Sequence, residues 1–366
     1  MLHHKIHWLA GVILLICACI LPSAPVMSES EVTVHEGRMT PNSIISKRLA
    51  FYNDIFPQVQ FVHAEGGDTW HEDYGTILAL LGKEATSLDY EHPENLRQDL
   101  LDANLYRIKL MLMNDLASAT LFRVGSDSAL DREHVCIISL NPDAVAENDA
   151  EATRYIANLP DELASKIHPT RFLNREQHVR FAVVHEVFHC LDSLYNGGAP
   201  MTTLPLGAEY NQFLREGAAD AFAAAMHLRT HGETTDYLRN LMHLRAIWLF
   251  SDGPNRCTFE FIRATVDTDL AKLRAMTLKD LISFSTDIGN EVGGSYDYFV
   301  QQRAAALEAA KAIGFKIQIY NDAWRNLEEI SPETEGVEYR IKWYKYFLAT
   351  LFNDQDVAFD MPRAPE

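Results

Sequence analysis

The residues best placed to do chemistry lie in Arg180-Phe181-Ala182-Val183-Val184-His185-Glu186-Val187-Phe188-His189-Cys190-Leu191-Asp192, which contains His-Glu-x-x-His. On an α-helix, positions i and i+4 lie about 40° apart around the axis and about 6 Å along it. Two imidazoles at that spacing converge on one tetrahedral ion. Glu186 adjoins the first histidine, so it projects beside such an ion rather than onto it. There a carboxylate can hold a metal-bound water and take its proton.

A catalytic zinc site needs a third protein ligand and an open position for water. The pattern His-x-x-Gly-x-x-His/Asp does not continue on the same segment, because the slots hold Asp192 and Tyr195. No Gly-Thr-x-Asp segment exists either. A glutamate followed four residues later by an aspartate is present in Arg215-Glu216-Gly217-Ala218-Ala219-Asp220-Ala221. On a helix Glu216 and Asp220 share a face. Glu216 can bind the ion while Asp220 accepts a hydrogen bond from the outer nitrogen of a ligand histidine and fixes its tautomer. Gly217, Ala218, Ala219, Ala221 and Ala223–Ala225 keep this helix slim, so that it can approach the first one closely. Asp192, one turn beyond His189, is expected to cap or pair locally, and Cys190 to behave as a small buried apolar residue.

Over about 50 residues, 178–229, the chain resembles the gluzincin branch of zinc metallopeptidases. The resemblance implies one catalytic zinc ion, with His185, His189 and Glu216 as ligands, Glu186 as general base and acid, and Asp220 behind a ligand histidine. It implies hydrolysis of peptide bonds in a peptide or protein substrate. It also implies a small sheet whose edge strand aligns an extended peptide, for which 134–140 is the candidate. Segment 196–212, with Gly197-Gly198-Ala199-Pro200 and Pro205, departs from well-known members and is expected to be a loop near the site. An oxyanion needs a donor. Tyr210 is the first candidate, followed by Tyr296, Tyr298, His227 and His231; His227 lies too far along its helix for direct metal contact. Two rival readings stay open: a zinc-binding protein that does not cleave, and a metal-free interaction protein.

The elements that must position these residues are mostly helical. Phe181, Val184, Phe188, Leu191 and Tyr195 form one apolar stripe, and Val183, Val187, Cys190 and Leu194 another, so the motif helix is expected to be buried on most sides. Helical spacing marks 43–56, 74–81, 95–116, 146–166, 175–195, 211–231, 234–250, 258–274, 277–288, 295–313, 319–330 and 337–352. Short strands are expected at 58–63, 119–124 and 134–140, the last two joined by a turn around Gly125-Ser126-Asp127. The fold class is α+β, predominantly helical, with zincin-like active-site helices and a small β-sheet. Residues 29–145 form an N-terminal α/β region and 146–366 a helical region carrying the chemistry; no linker separates them, so they can form one body.

Residues 1–28 read as a secretory signal peptide: a mildly basic start, an apolar run from Trp8 to Leu21, Pro22, then small residues. The run is shorter than the roughly 20 residues a membrane span needs. Cleavage fits after Ala24 or Ser28, and a rival lipid-anchored reading would use Cys19. The mature protein is expected to be secreted or periplasmic, without stable membrane insertion. Residues 29–60 are a candidate covering segment over the cleft. Beyond the leader, Cys136, Cys190 and Cys257 allow at most one intramolecular disulfide. The chain has 366 residues and a net charge of −19, which opposes binding to phosphate backbones and leaves nucleic acid out of the expected partners. Gly-x-Ser-x-Gly, Gly-Lys-Ser/Thr and Cys-x-x-Cys are absent, so serine hydrolase, nucleotide-binding and thiol-redox readings lack their anchors.

Overall fold

The computed structural model describes residues 41–64, 117–125, 132–140, 148–157, 164–196, 207–248 and 256–296, with isolated positions between 75 and 87 and at 128, 299 and 351. The leader at 1–28, the helices expected at 95–116, 319–330 and most of 337–352, nearly all of 295–313, and Gly197-Gly198 lie outside the described residues.

Helix α1 (Pro41–Ile55) opens on a proline, which suits a first turn with no N–H to satisfy. Its Ile44, Ile45, Leu49 and Tyr52 are buried on one face. Four strands follow: β1 (Val59–Ala64), β2 (Thr86–Ser87), β3 (Ala117–Arg123) and β4 (His134–Leu140). Their order is β1-β4-β3-β2. Strand β4 runs parallel to β1 and antiparallel to β3, with Cys136 opposite Phe61 on one side and Leu121 on the other.

The strand 134–140 is therefore interior, which corrects its expected place as the substrate-aligning edge; the edges are β1 and the two-residue β2. All seven residues of β4 are buried. Cys136, Ile138 and Leu140 join the main core on the helix side, while Val135 and Ile137 meet Ile77, Leu81 and Ala85 on the other. A strand covered on both faces reads as a continuous apolar run, so its sequence could not show which flank was paired.

The helical part comprises α2 (Asp149–Ala157), α3 (Arg175–Asn196), α4 (Gly207–His231), α5 (Asp236–Ile247), α6 (Phe259–Val266), α7 (Leu270–Ala275) and α8 (Leu278–Gly293). The span expected as one helix over 258–274 is broken, because the Asp269 side chain accepts from the backbone N–H groups of Ala271 and Lys272 and starts a new helix. Helix α4 begins at Gly207, so 207–212 belong to it and not to the expected loop. One apolar core crosses the region boundary expected near 145, placing Tyr52, Phe61 and Ile138 with Phe188, Phe222 and Leu241. Ile44, Ile45, Leu49, Tyr52, Phe56 and Val59, within the candidate covering segment 29–60, belong to that core. Among the described residues no helix is long and apolar enough to cross a membrane.

Candidate metal centre

Helix α3 packs against the sheet, α1 and α4 at once, and both expected apolar stripes are buried except at Leu194, which is half-buried, and Tyr195, which is exposed. The side chain of Asn174 accepts from the Gln177 N–H and caps its start. Its polar strip faces α4. His185 on α3 meets Glu216 and Asp220 on α4, and seven residues later Asp192 meets Arg215. Numbers rise along one helix as they fall along the other, so the pair is antiparallel.

The structure brings together the three residues expected as ligands. Nε2 of His185 is 3.2 Å from Oε2 of Glu216 and 3.2 Å from Nε2 of His189; Nε2 of His189 is 3.8 Å from Oε1 of Glu216. Zinc–ligand bonds of about 2.0–2.1 Å in a tetrahedron separate the ligand atoms by about 3.3–3.4 Å. The observed separations are close to these, so the group could hold one ion, with either or both oxygens of Glu216. The side chains are 6%, 13% and 18% exposed for His185, His189 and Glu216, which leaves one side open to solvent.

Asp220 stands where expected. Its Oδ1 accepts from Nδ1 of His185 at 2.8 Å. When the ring is neutral, this keeps its proton on Nδ1 and turns the lone pair of Nε2 toward the other two ligands. Two residues that the sequence reading missed hold Asp220 in turn. Nη2 of Arg245, on α5, donates to Oδ1 at 3.0 Å, and its Nε lies 2.8 Å from Oδ2. The hydroxyl of Thr258 donates to Oδ2. Thr258 occupies the N-cap position of α6, yet its side chain caps nothing there. A local rule is broken in favour of a tertiary contact, as happens at functional sites. The available signal for Arg245 was its setting among Leu241, Met242, Leu244, Ala246 and Ile247: a charge buried in such company needs a partner. Its guanidinium also lies 4.3 Å from the Trp248 ring centroid.

The electrostatics favour positive charge at the ligand group. Burial lowers the His185 imidazole, but Asp220 and Glu216 outweigh it and push the pKa up to about 10. Burial takes His189 down to about 3, with His185 and Arg215 adding to the effect against Glu216. Glu216 is held well below the usual carboxylate range, since His185, His189 and Arg256 overcome its desolvation. Burial raises Glu186 to about 7, with Glu216 adding and His185, Arg256 and Arg245 opposing. Glu186 is 6% exposed.

Gly217 permits a close approach, but to Phe261 of α6 rather than to α3: a Cβ there would lie 2.5 Å from the Phe261 ring. Asp192 pairs locally as expected, accepting from Asn196 at 2.7 Å and facing Nε of Arg215 at 3.8 Å. Cys190 is buried but is not the inert small residue expected; it forms a disulfide with Cys136, leaving Cys257 as a buried free thiol.

Tyr210 is not drawn to the ligand group. It precedes Glu216 by six residues, about 9 Å along the helix and about 120° around it. Its hydroxyl donates to the Gly294 carbonyl at 2.6 Å, and its ring packs on Tyr296 and Phe299. Tyr298 lies outside the described residues. His227 pairs with the Thr235 hydroxyl at 2.8 Å and stacks near His231, serving the start of α5. Comparison with family models, curated proteins and solved structures finds no match to this chain.

Proposed function

We propose that this protein is a secreted or periplasmic zinc-dependent peptidase that hydrolyses peptide bonds in peptide or protein substrates. One observation carries the reading: ligand atoms of His185, His189 and Glu216 gather within 4.8 Å of one another from two separate helices. Glu186 adjoins the first of them in the chain. A zinc ion held by these three residues would supply a Lewis acid for the scissile carbonyl and a water of lowered pKa.

Each residue then has a defined task. His185 is kept in its ligand tautomer by Asp220, which Arg245 and Thr258 hold in place. Glu186 takes a proton from the attacking water and returns it to the leaving amine. A carboxyl raised to about 7 by burial suits both halves of that exchange. Glu216 contributes the negative charge that retains a dication between two neutral imidazoles. A disulfide within the core supports an oxidising compartment, in keeping with the leader read at 1–28.

The test combines metal analysis with an unbiased peptide-library digest. One zinc per chain is expected in the wild type and is lost in His185→Ala. Cleavage should stop with a chelator and fall by about 10²–10⁴ in Glu186→Gln, which keeps its metal. Metal-loaded wild type that cleaves no peptide in the library would refute the peptidase assignment.

A further inference from the structure

One of the three ligand residues has a visible brace. His185 leans on Asp220. His189 has no such acceptor: among the described residues its Nε2 meets only the other two ligands, and its Nδ1 has no hydrogen-bond partner. A ligand imidazole almost always donates its second nitrogen to a carboxylate, a carbonyl or water, which sets the ring's direction. The place of this turn is therefore set by how α3 is held against its neighbours.

We infer that the Cys136–Cys190 disulfide is the positioning element for His189, fastening the turn that carries this ligand to the central strand of the sheet. Cys190 follows His189 directly, and successive helical side chains diverge by about 100°. While His189 faces α4, Cys190 faces the sheet. Its partner Cys136 sits in β4, flanked in register by Phe61 and Leu121, so the anchor is paired on both sides. The two cysteines are 0% and 1% exposed, with a Cα–Cα distance of 5.9 Å.

The magnitudes support a role in positioning. Two unbonded sulfurs stand roughly 1.5 Å or more further apart than bonded ones. A core packed at crystal-like density cannot absorb that displacement without moving neighbours. Metal–ligand distances tolerate only about 0.2 Å. Without the bridge nothing covalent ties this turn to β4, and a shift of only a few tenths of an ångström in the turn exceeds what a bound ion accepts. The inference rests on the metal-centre reading but not on peptidase activity.

The test compares oxidised wild type with Cys136→Ala/Cys190→Ala and with wild type refolded in a thiol-free phosphine reductant, all three in the same buffer. Each is titrated with Zn²⁺ against a chromogenic chelator and with Co²⁺ by visible absorption, well below its melting transition. The bridge-free forms should keep native circular dichroism, bind Zn²⁺ about 10–100-fold more weakly, and show an altered Co²⁺ ligand-field band. A purely structural bridge would lower the melting temperature and leave both metal readouts unchanged. Zn²⁺ affinity within twofold of oxidised wild type overturns the inference. Loss of the native fold in both bridge-free forms also overturns it, assigning the disulfide to global stability alone. Failure of oxidised wild type to bind any divalent ion overturns this inference and the metal-centre reading together.

Discussion

Replacing Asp220 by asparagine keeps the shape of the side chain but removes the charge to which His185, Arg245 and Thr258 all donate. An asparagine offers one acceptor oxygen and presents an NH₂ group to the remaining donors. The guanidinium of Arg245, 9% exposed, then loses its counter-charge inside the core. Breaking a buried pair from one side costs about 3–5 kcal/mol. Losing the hold on the outer nitrogen of His185 should weaken Zn²⁺ about 10–100-fold. Two assays separate these effects: urea unfolding of metal-free protein, and Zn²⁺ competition under native conditions. The double variant Asp220→Asn/Arg245→Met removes the stranded cation, so it should regain about 2 kcal/mol of the lost stability while its metal affinity stays low. If Asp220→Asn loses under about 1 kcal/mol and binds Zn²⁺ within about threefold of wild type, the carboxylate is not the hub described here.

Three further outcomes follow from the same geometry. Metal-free His185 titrates at about 10, whereas His189 is neutral near neutral pH and Glu216 is already ionised, so binding an ion should release at least the His185 proton, with Glu186 at about 7 adding to the release in the lower half of the range. Apparent Zn²⁺ affinity should therefore rise about tenfold per pH unit between pH 6 and 8, and a flat profile would remove the claim. Gly217→Ala puts a Cβ against the Phe261 ring and should cost about 1–3 kcal/mol in urea unfolding, although alanine is the better helix former. Tyr210→Phe loses one hydrogen bond to Gly294, worth about 1 kcal/mol. It should leave kcat/KM within about threefold, equivalent to less than 1 kcal/mol; a loss above about thirtyfold would return this hydroxyl to the reaction.

The motif helix was legible because its pattern is local. His185 and His189 share a face by helical geometry alone, and the apolar stripes around them predict the burial observed. Glu216 and Asp220 were legible as a pair for the same reason. Helix limits were less so: the start of α4 at Gly207 and the break at Asp269 depend on side-chain capping that competes with periodicity.

What the amino-acid order determined was which residues share a face: two histidines on one helix, with Glu186 beside them, and a glutamate and an aspartate on another. Only the tertiary structure decided how those faces meet, that Arg245 and Thr258 close around Asp220, that Gly217 serves Phe261, that Tyr210 turns to Gly294, and that Cys190 is bonded to Cys136 in an interior strand. Spacing along a helix follows from backbone geometry that every residue carries. A contact between elements far apart in the chain depends on how complete faces pack, and no short segment contains that information.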